Sequence, residues 1–417
     1  MTYLIIGGSV AGLACAKRLR QLDASSAIVI LSEEERPYSK MSLPYLLAGK
    51  MKKNRVWLEI PEGVEFVGKQ KVARVFPADK KVVTVRGNEF KFDKLLIASG
   101  ANASLPDFEG SLSGNVFTVR NIADIAGIKN ALKKSRLKKV IIIGAGLVSI
   151  EVGDAFQKLG YKPVFLVSSH RVLSQILDEE GSDILKQSLL ESGAEIYFGE
   201  SVKKIENAKQ GIKVETESGK EFTGDLAVIG KGTSPNIGFL ADSGVTVDRG
   251  IVVNKFLETN IKDIFAAGDV CQAYDMIRGD NVINAIWPLA IEQGRHAAMN
   301  MTHYKVPYKG SVVRNIVTVF GETIFTLGLS RNKELEVFRK KYNRQYVKIC
   351  LRDGKLVGAI FINTRIDPGS YIYAIARDIN VSDMKEVLLS GSLSHVHFAR
   401  YLGEKSLMGS SYSTATS

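Results

Sequence analysis

Tyr3-Leu-Ile-Ile-Gly-Gly-Ser-Val-Ala-Gly12 is a short apolar run, a tight turn of small residues and the opening of a helical stretch that reads on to Leu22. Val140-Ile-Ile-Ile-Gly-Ala-Gly-Leu-Val-Ser149 repeats that grammar, with its helical stretch running to Leu159. Each copy returns to a β-branched or aliphatic run, at 27–31 and at 163–167. The pattern is a strand, a helix and a parallel strand, duplicated as a whole domain. In such a turn the first small residue permits the bend, the second lets backbone amides approach a pyrophosphate, and the third lets helix and strand pack closely. Gly7, Gly8, Ser9, Val10, Ala11 and Gly12 are the candidate cradle in the first copy, Gly144, Gly146 and Ser149 in the second. Ser9 and Ser149 stand where glycine is usual, and both are small.

An acidic residue about 20 positions beyond such a turn bonds the adenosine ribose hydroxyls. Glu33 is placed for that after the first copy, and Glu34 follows it. The second copy ends its strand with Val167-Ser-Ser-His-Arg171 and offers no acid. A carboxylate there would repel a 2′-phosphate, so its absence permits NADP, with Arg171 as a candidate partner. Ser168 could equally serve NAD through a weaker hydrogen bond. The nucleotide is therefore read as NAD(P).

Of the 417 residues, 45% are apolar and 24% charged, which is ordinary for a folded chain of two or three domains. The run into the first glycine turn reads as a buried strand rather than a signal peptide, and no apolar run approaches the roughly 20 residues that span a bilayer. The expected location is the cytoplasm. Cys15, Cys271 and Cys350 are the three cysteines, and no CxxC or CxxxxC pair occurs. A disulfide framework and a sequence-adjacent redox dithiol are both absent. The formal net charge of +12 comes largely from runs at 50–55, 133–139 and 339–344. These read as solvated faces or as steering for an acidic partner. They lack the interleaved aromatics of a nucleic-acid motif.

Further along, strand-like runs at 94–98 and 226–229 fit the same plan. From about 311 to 402 the pattern changes to strands at 313–320, 346–351 and 356–361 followed by short helices, and the Ser-rich end at 409–417 reads as disordered. The fold class expected is α/β, with two Rossmann-like dinucleotide-binding domains followed by a C-terminal α+β domain.

The chain resembles the pyridine nucleotide-disulfide oxidoreductase superfamily from residue 1 to about 402. Leu95-Leu-Ile-Ala-Ser-Gly100 is similar to its ATG motif, and Thr259-Asn-Ile-Lys-Asp-Ile-Phe-Ala-Ala-Gly-Asp-Val270 to its second FAD fingerprint. Gly232-Thr-Ser-Pro-Asn236 is similar to the GxxPN element near the nicotinamide. The resemblance implies an FAD-binding domain over 1–118 and 243–305, an inserted NAD(P)-binding domain over 119–242, a C-terminal interface domain over 306–402 and a flexible tail over 403–417. It implies that Asp269 bonds the ribityl or pyrophosphate part of the flavin cofactor, with Val72, Ser99, Gly100 and Arg120 as further contacts. It places Gly232 and Glu151 near the nicotinamide, and Lys40 and Glu151 near the two reacting rings.

Arg36-Pro-Tyr-Ser-Lys-Met-Ser-Leu-Pro-Tyr45 is similar to the segment that bears one redox cysteine in coenzyme A disulfide reductases and NADH oxidases, and Met41 occupies that position. A thioether forms neither a thiolate nor a mixed disulfide. Asn284-Ala-Ile-Trp-Pro-Leu-Ala-Ile-Glu-Gln-Gly294 resembles the flavin-covering helix of the rubredoxin-reductase and nitrite-reductase-like branch, with Trp287 at its start. The resemblance implies FAD as cofactor, NAD(P)H as substrate, and an iron–sulfur protein or subunit as electron partner, since the chain has no cluster-binding cysteine set. The chain would be the NAD(P)-reacting subunit of a complex or a homodimer through its C-terminal domain. An NADH oxidase or disulfide reductase, and a flavin-bound interaction protein with little turnover, are the alternatives.

Overall fold

The structure, a computed structural model, describes residues 1–110, 114–332 and 334–399. The expected flexible tail lies outside them. The chain forms two compact units, one of Met1–Ser174 with Leu189–Gly310, the other of Gln175–Ser188 with the chain from Ser311 onward. Among the described residues no helix is long and apolar enough to cross a membrane.

The first unit holds two five-stranded sheets, each parallel throughout. Thr2–Ile6 is central in one, between Ala27–Leu31 and Lys94–Ile97, so that Ile5 pairs with Ile30 on one side and Leu96 on the other. Lys139–Ile143 is central in the second, with Ile142 between Phe165 and Val228. These strands are continuous aliphatic runs because both faces are covered, and Ile5, Ile30, Leu96, Ile142 and Phe165 are all buried. Ile264–Ala266, inside the second FAD-like fingerprint, pairs in parallel with Lys94–Ile97 at the edge of the first sheet. The late fingerprint is thereby returned to the strand layer of the early one, as doubly wound α/β folds require.

Helix Val10–Leu22 packs against helix Trp287–Met301 so closely that a Cβ on Gly294 would lie 2.3 Å from the Ala11 carbonyl oxygen. Cys15 sits in the same contact, 3.8 Å from the Met301 sulfur. A two-stranded antiparallel ribbon of Ala101–Ala103 with Thr233–Pro235 joins the end of the first motif to that of the second.

The second unit contains a five-stranded antiparallel sheet in the order Arg314–Val319, Glu322–Gly328, Lys355–Ile362, Gln345–Arg352, Glu336–Tyr342, followed by helices Pro368–Ala376 and Lys385–Ser390. This is the expected C-terminal α+β pattern. Segment Gln175–Ser188 joins it through Asp178, whose carboxylate accepts from the Tyr346 hydroxyl at 2.7 Å and pairs with the Lys348 ammonium at 3.1 Å.

Candidate functional site

The first glycine turn is built by backbone crowding. Gly7 has φ +116°, and a Cβ there would stand 2.1 Å from the Ala98 carbonyl oxygen. One on Gly12 would stand 2.1 Å from the Gly7 carbonyl oxygen, and one on Gly8 would strike the Phe66 ring at 2.5 Å. Ser9 is the N-cap of helix Val10–Leu22, yet its hydroxyl makes no cap bond. Helices Leu147–Lys158 and Trp287–Met301 also begin without a side-chain cap, whereas Ile122–Leu132 begins with a full Asn121/Asp124 capping box. Uncapped first-turn amides are ready donors for an anion.

Three elements meet beside this turn. A Cβ on Gly268, whose φ is +83°, would lie 3.1 Å from the Ala11 side chain and 3.7 Å from that of Ala290. The Gly268 amide donates to Gln293 Oε1 at 2.8 Å, which fixes the late fingerprint on the helix that Trp287 opens. Asp269 lies 3.6 Å from the Arg120 guanidinium, whose Nε donates to the Ala101 carbonyl at 2.8 Å. Ser99 donates to the Asn236 carbonyl at 2.8 Å, and the Asn236 amide to that of Gly100 at 2.9 Å. The ATG-like and GxxPN-like elements are thus bonded to one another.

Lys40 is largely buried near this cluster. Burial first, then the Arg120 guanidinium, pulls its ammonium below the ordinary lysine value, while Glu34, Glu33 and Asp269 oppose the shift. Among the described residues it forms no ion pair. Glu34 accepts a 2.6 Å bond from the Tyr38 hydroxyl, and Glu33 lies 3.9 Å from Lys71. Val72 is buried at the start of strand Val72–Phe76. Met41 is 58% exposed.

The second turn is more open. Gly144 has φ +106°, and its Cβ would meet the Gly230 carbonyl oxygen at 2.5 Å. Around Gly146 and Gly232, by contrast, a Cβ would meet nothing within 4 Å. Ser149 uses its hydroxyl to donate to the Gly230 carbonyl at 3.0 Å, so it is a packing residue. Glu151 is mostly buried, and burial, followed by repulsion from Asp154, pushes its carboxyl up to about 7. Ser168 accepts a 2.7 Å hydrogen bond from Lys231, a cation that sequence reasoning passed over. The stretch around Arg171 folds back on the turn, with Ser169 donating to the Arg171 carbonyl at 3.0 Å and the Leu173 amide to that of Ala145 at 2.9 Å.

The donor set fits two dinucleotides. Each parallel sheet carries at its central strand a glycine turn opening an uncapped helix, which is the arrangement that takes a pyrophosphate. In series, these folds define an FAD-dependent NAD(P)H oxidoreductase. Residues 1–294 match the family model of the pyridine nucleotide-disulphide oxidoreductases, and the chain belongs to that family. It is 28% identical over 407 residues to the NADH-dependent phenylglyoxylate dehydrogenase subunit epsilon of Aromatoleum evansii, covering 94% of this chain and 95% of that one. It is 29% identical over 373 residues to the NADH-rubredoxin oxidoreductase of Clostridium acetobutylicum, covering 86% and 90%. The structure of an NAD-dependent persulfide reductase from A. fulgidus superposes with a TM-score of 0.84 at 20% identity, over 97% of this chain and 84% of that one, and shares the fold.

Proposed function

We propose that this chain takes hydride from NAD(P)H and delivers the electrons to an external iron–sulfur protein or subunit. Bound FAD supplies the conversion from two-electron to one-electron chemistry. The observation that carries this reading is the state of sulfur in the chain. Met41 stands, exposed, at the position where the resemblance expects a redox cysteine. Cys15 is 0% exposed, Cys271 1% and Cys350 0%. Burial pushes the thiols of Cys15 and Cys271 far above the ordinary range and that of Cys350 up to about 11. The thiolate, the reactive form, is disfavoured at all three.

In this reading 1–118 and 243–305 hold FAD and 119–242 hold NAD(P)H. Gly7, Gly8, Ser9, Val10, Ala11 and Gly12 line the flavin nucleotide's pyrophosphate, and Glu33, with Glu34 beside it, bonds its ribose. Ser99, Gly100, Arg120 and Asp269 hold the flavin side, with Val72 as an apolar contact. Lys40 places a desolvated cation beside the ring, and Trp287 opens the helix whose uncapped amides favour negative charge there. Gly144, Gly146, Ser168, Arg171 and Gly232 receive the second nucleotide, with Ser149 packed behind the turn, and Glu151 stands by the nicotinamide. No side-chain acid or base is obligatory for hydride transfer between two rings, so these residues act by positioning and electrostatics.

That one relative is a subunit of a dehydrogenase and another a rubredoxin oxidoreductase supports a protein partner, and the net charge of +12 suits an acidic one. Domain 306–402 is the proposed docking or dimerisation module. Steady-state NAD(P)H consumption with ferredoxin or rubredoxin, with coenzyme A disulfide and under air tests the proposal. Turnover with the iron–sulfur protein alone supports it. Comparable turnover with the disulfide or with oxygen refutes it.

A further inference from the structure

Four observations converge at the end of strand Lys162–Val167. No acid follows the strand, where Ser168 takes the place of the residue that bonds an adenosine ribose. Lys231 lies just beyond strand Leu226–Ile229, on the other side of the central strand. It reaches across the glycine turn to hydrogen-bond Ser168 Oγ at 2.7 Å. It is half-buried, and burial pulls its ammonium below the ordinary value. Arg171 is half-buried in the stretch that Leu173 pins to Ala145, and among the described residues it too has no ion-pair partner. The Glu200 amide bonds the Val167 carbonyl at 3.1 Å, which sets a carboxylate-bearing residue against this strand. Its oxygens are taken by Lys220 at 2.6 Å and Ser218 at 2.7 Å.

Lys231, without an ion pair among the described residues and bonded to Ser168 at a ribose position lacking its carboxylate, forms a site for one more negative group than NAD carries there, with Arg171 three positions along the chain from Ser168. We propose that Lys231, together with Arg171, binds the 2′-phosphate of NADP(H), and that the chain uses NADPH in preference to NADH. This rests on the second fold being the nicotinamide nucleotide site. Unpaired, half-buried charges are costly, and a dianionic phosphate offsets both at once. The Ser168 hydroxyl holds Lys231 toward that position.

The test is equilibrium titration of the FAD-loaded protein with NADP⁺, NAD⁺, adenosine 2′,5′-bisphosphate and 5′-AMP. Wild-type protein should bind NADP⁺ more tightly than NAD⁺, and the bisphosphate more tightly than 5′-AMP. Lys231→Gln should weaken NADP⁺ about tenfold or more while leaving NAD⁺ nearly unchanged, and Lys231→Arg should keep most of the preference. Ser168→Asp should invert the preference, a second route to the answer if Lys231→Gln fails to fold. Tighter wild-type binding of NAD⁺ overturns the inference. So does an equal loss of both nucleotides in Lys231→Gln, which would place Lys231 on the shared pyrophosphate. Binding of neither nucleotide would remove the second site and the proposed function with it, an outcome distinct from a reversed preference.

Discussion

The Ser149 hydroxyl donates to the Gly230 carbonyl at 3.0 Å, and a Cβ on Gly230 would lie 2.0 Å from that same hydroxyl oxygen. The serine at the third position of the second glycine turn is therefore accommodated by a glycine on the neighbouring strand end. Gly230→Ala should destabilise the protein by about 1–3 kcal/mol through overpacking. Adding Ser149→Gly should recover much of that loss, and a double-mutant cycle by chemical denaturation measures the coupling.

The two glycine turns should respond differently to the same substitution. Gly12→Ala meets the Gly7 carbonyl oxygen at 2.1 Å and should abolish FAD retention, read as the flavin-to-protein absorbance ratio. Gly146→Ala meets nothing within 4 Å, so folding and flavin content should be kept. Its methyl group would still occupy space that the second nucleotide's phosphates approach, and NAD(P)⁺ affinity should fall about tenfold.

Glu151 gives the fold a pH dependence of definite sign. Its carboxyl is raised to about 7 from the ordinary 4.5, so between those values the native state holds a proton that the unfolded state has released. Stability should fall as pH rises through that window, by at most about 1.4 kcal/mol per pH unit from this group. Glu151→Gln should flatten the slope in denaturation curves at pH 5, 6 and 7, taken as about those values to span the window. An unchanged slope would place the titrating group elsewhere.

The βαβ openings were legible because their signal is local: an aliphatic run, small residues and a helix in consecutive positions. The late fingerprint at 259–270 was legible by resemblance, and its parallel pairing with Lys94–Ile97 shows why it belongs to the first sheet. The Ser149–Gly230 match was not, because its partners are 81 positions apart, and the serine read from the turn says nothing of the glycine that makes room for it. Lys231 was passed over for a similar reason. Its signal was a lysine directly after a strand-ending glycine, which gains meaning only when the parallel sheet sets that strand end near Ser168. In the second unit, strands Glu322–Gly328 and Glu336–Tyr342 were not read, the latter because Arg339-Lys-Lys341 looks like a solvated charge run. The attachment of Asp178 to Tyr346 and Lys348 had no local signature at all.

Thiol accessibility separates Met41 from the cysteines. The native protein should show no rapidly reacting thiol with a disulfide reagent such as Ellman's, because all three cysteines are buried. Met41→Cys should add one fast-reacting thiol per chain, at a position 58% exposed in the wild type. A fast thiol in the wild type would reopen sulfur chemistry at Cys15, Cys271 or Cys350.

Anaerobic stopped-flow mixing tests the central claim most directly. The FAD-loaded protein is reduced with NADPH or NADH, then mixed with reduced-flavin acceptors of three kinds: ferredoxin or rubredoxin, coenzyme A disulfide, and oxygen. The account predicts rapid bleaching of the flavin absorbance by nucleotide and fast reoxidation by the iron–sulfur protein alone. Reoxidation as fast by the disulfide or by oxygen would contradict it, and the disulfide result would mean that Met41 does not close the thiol route.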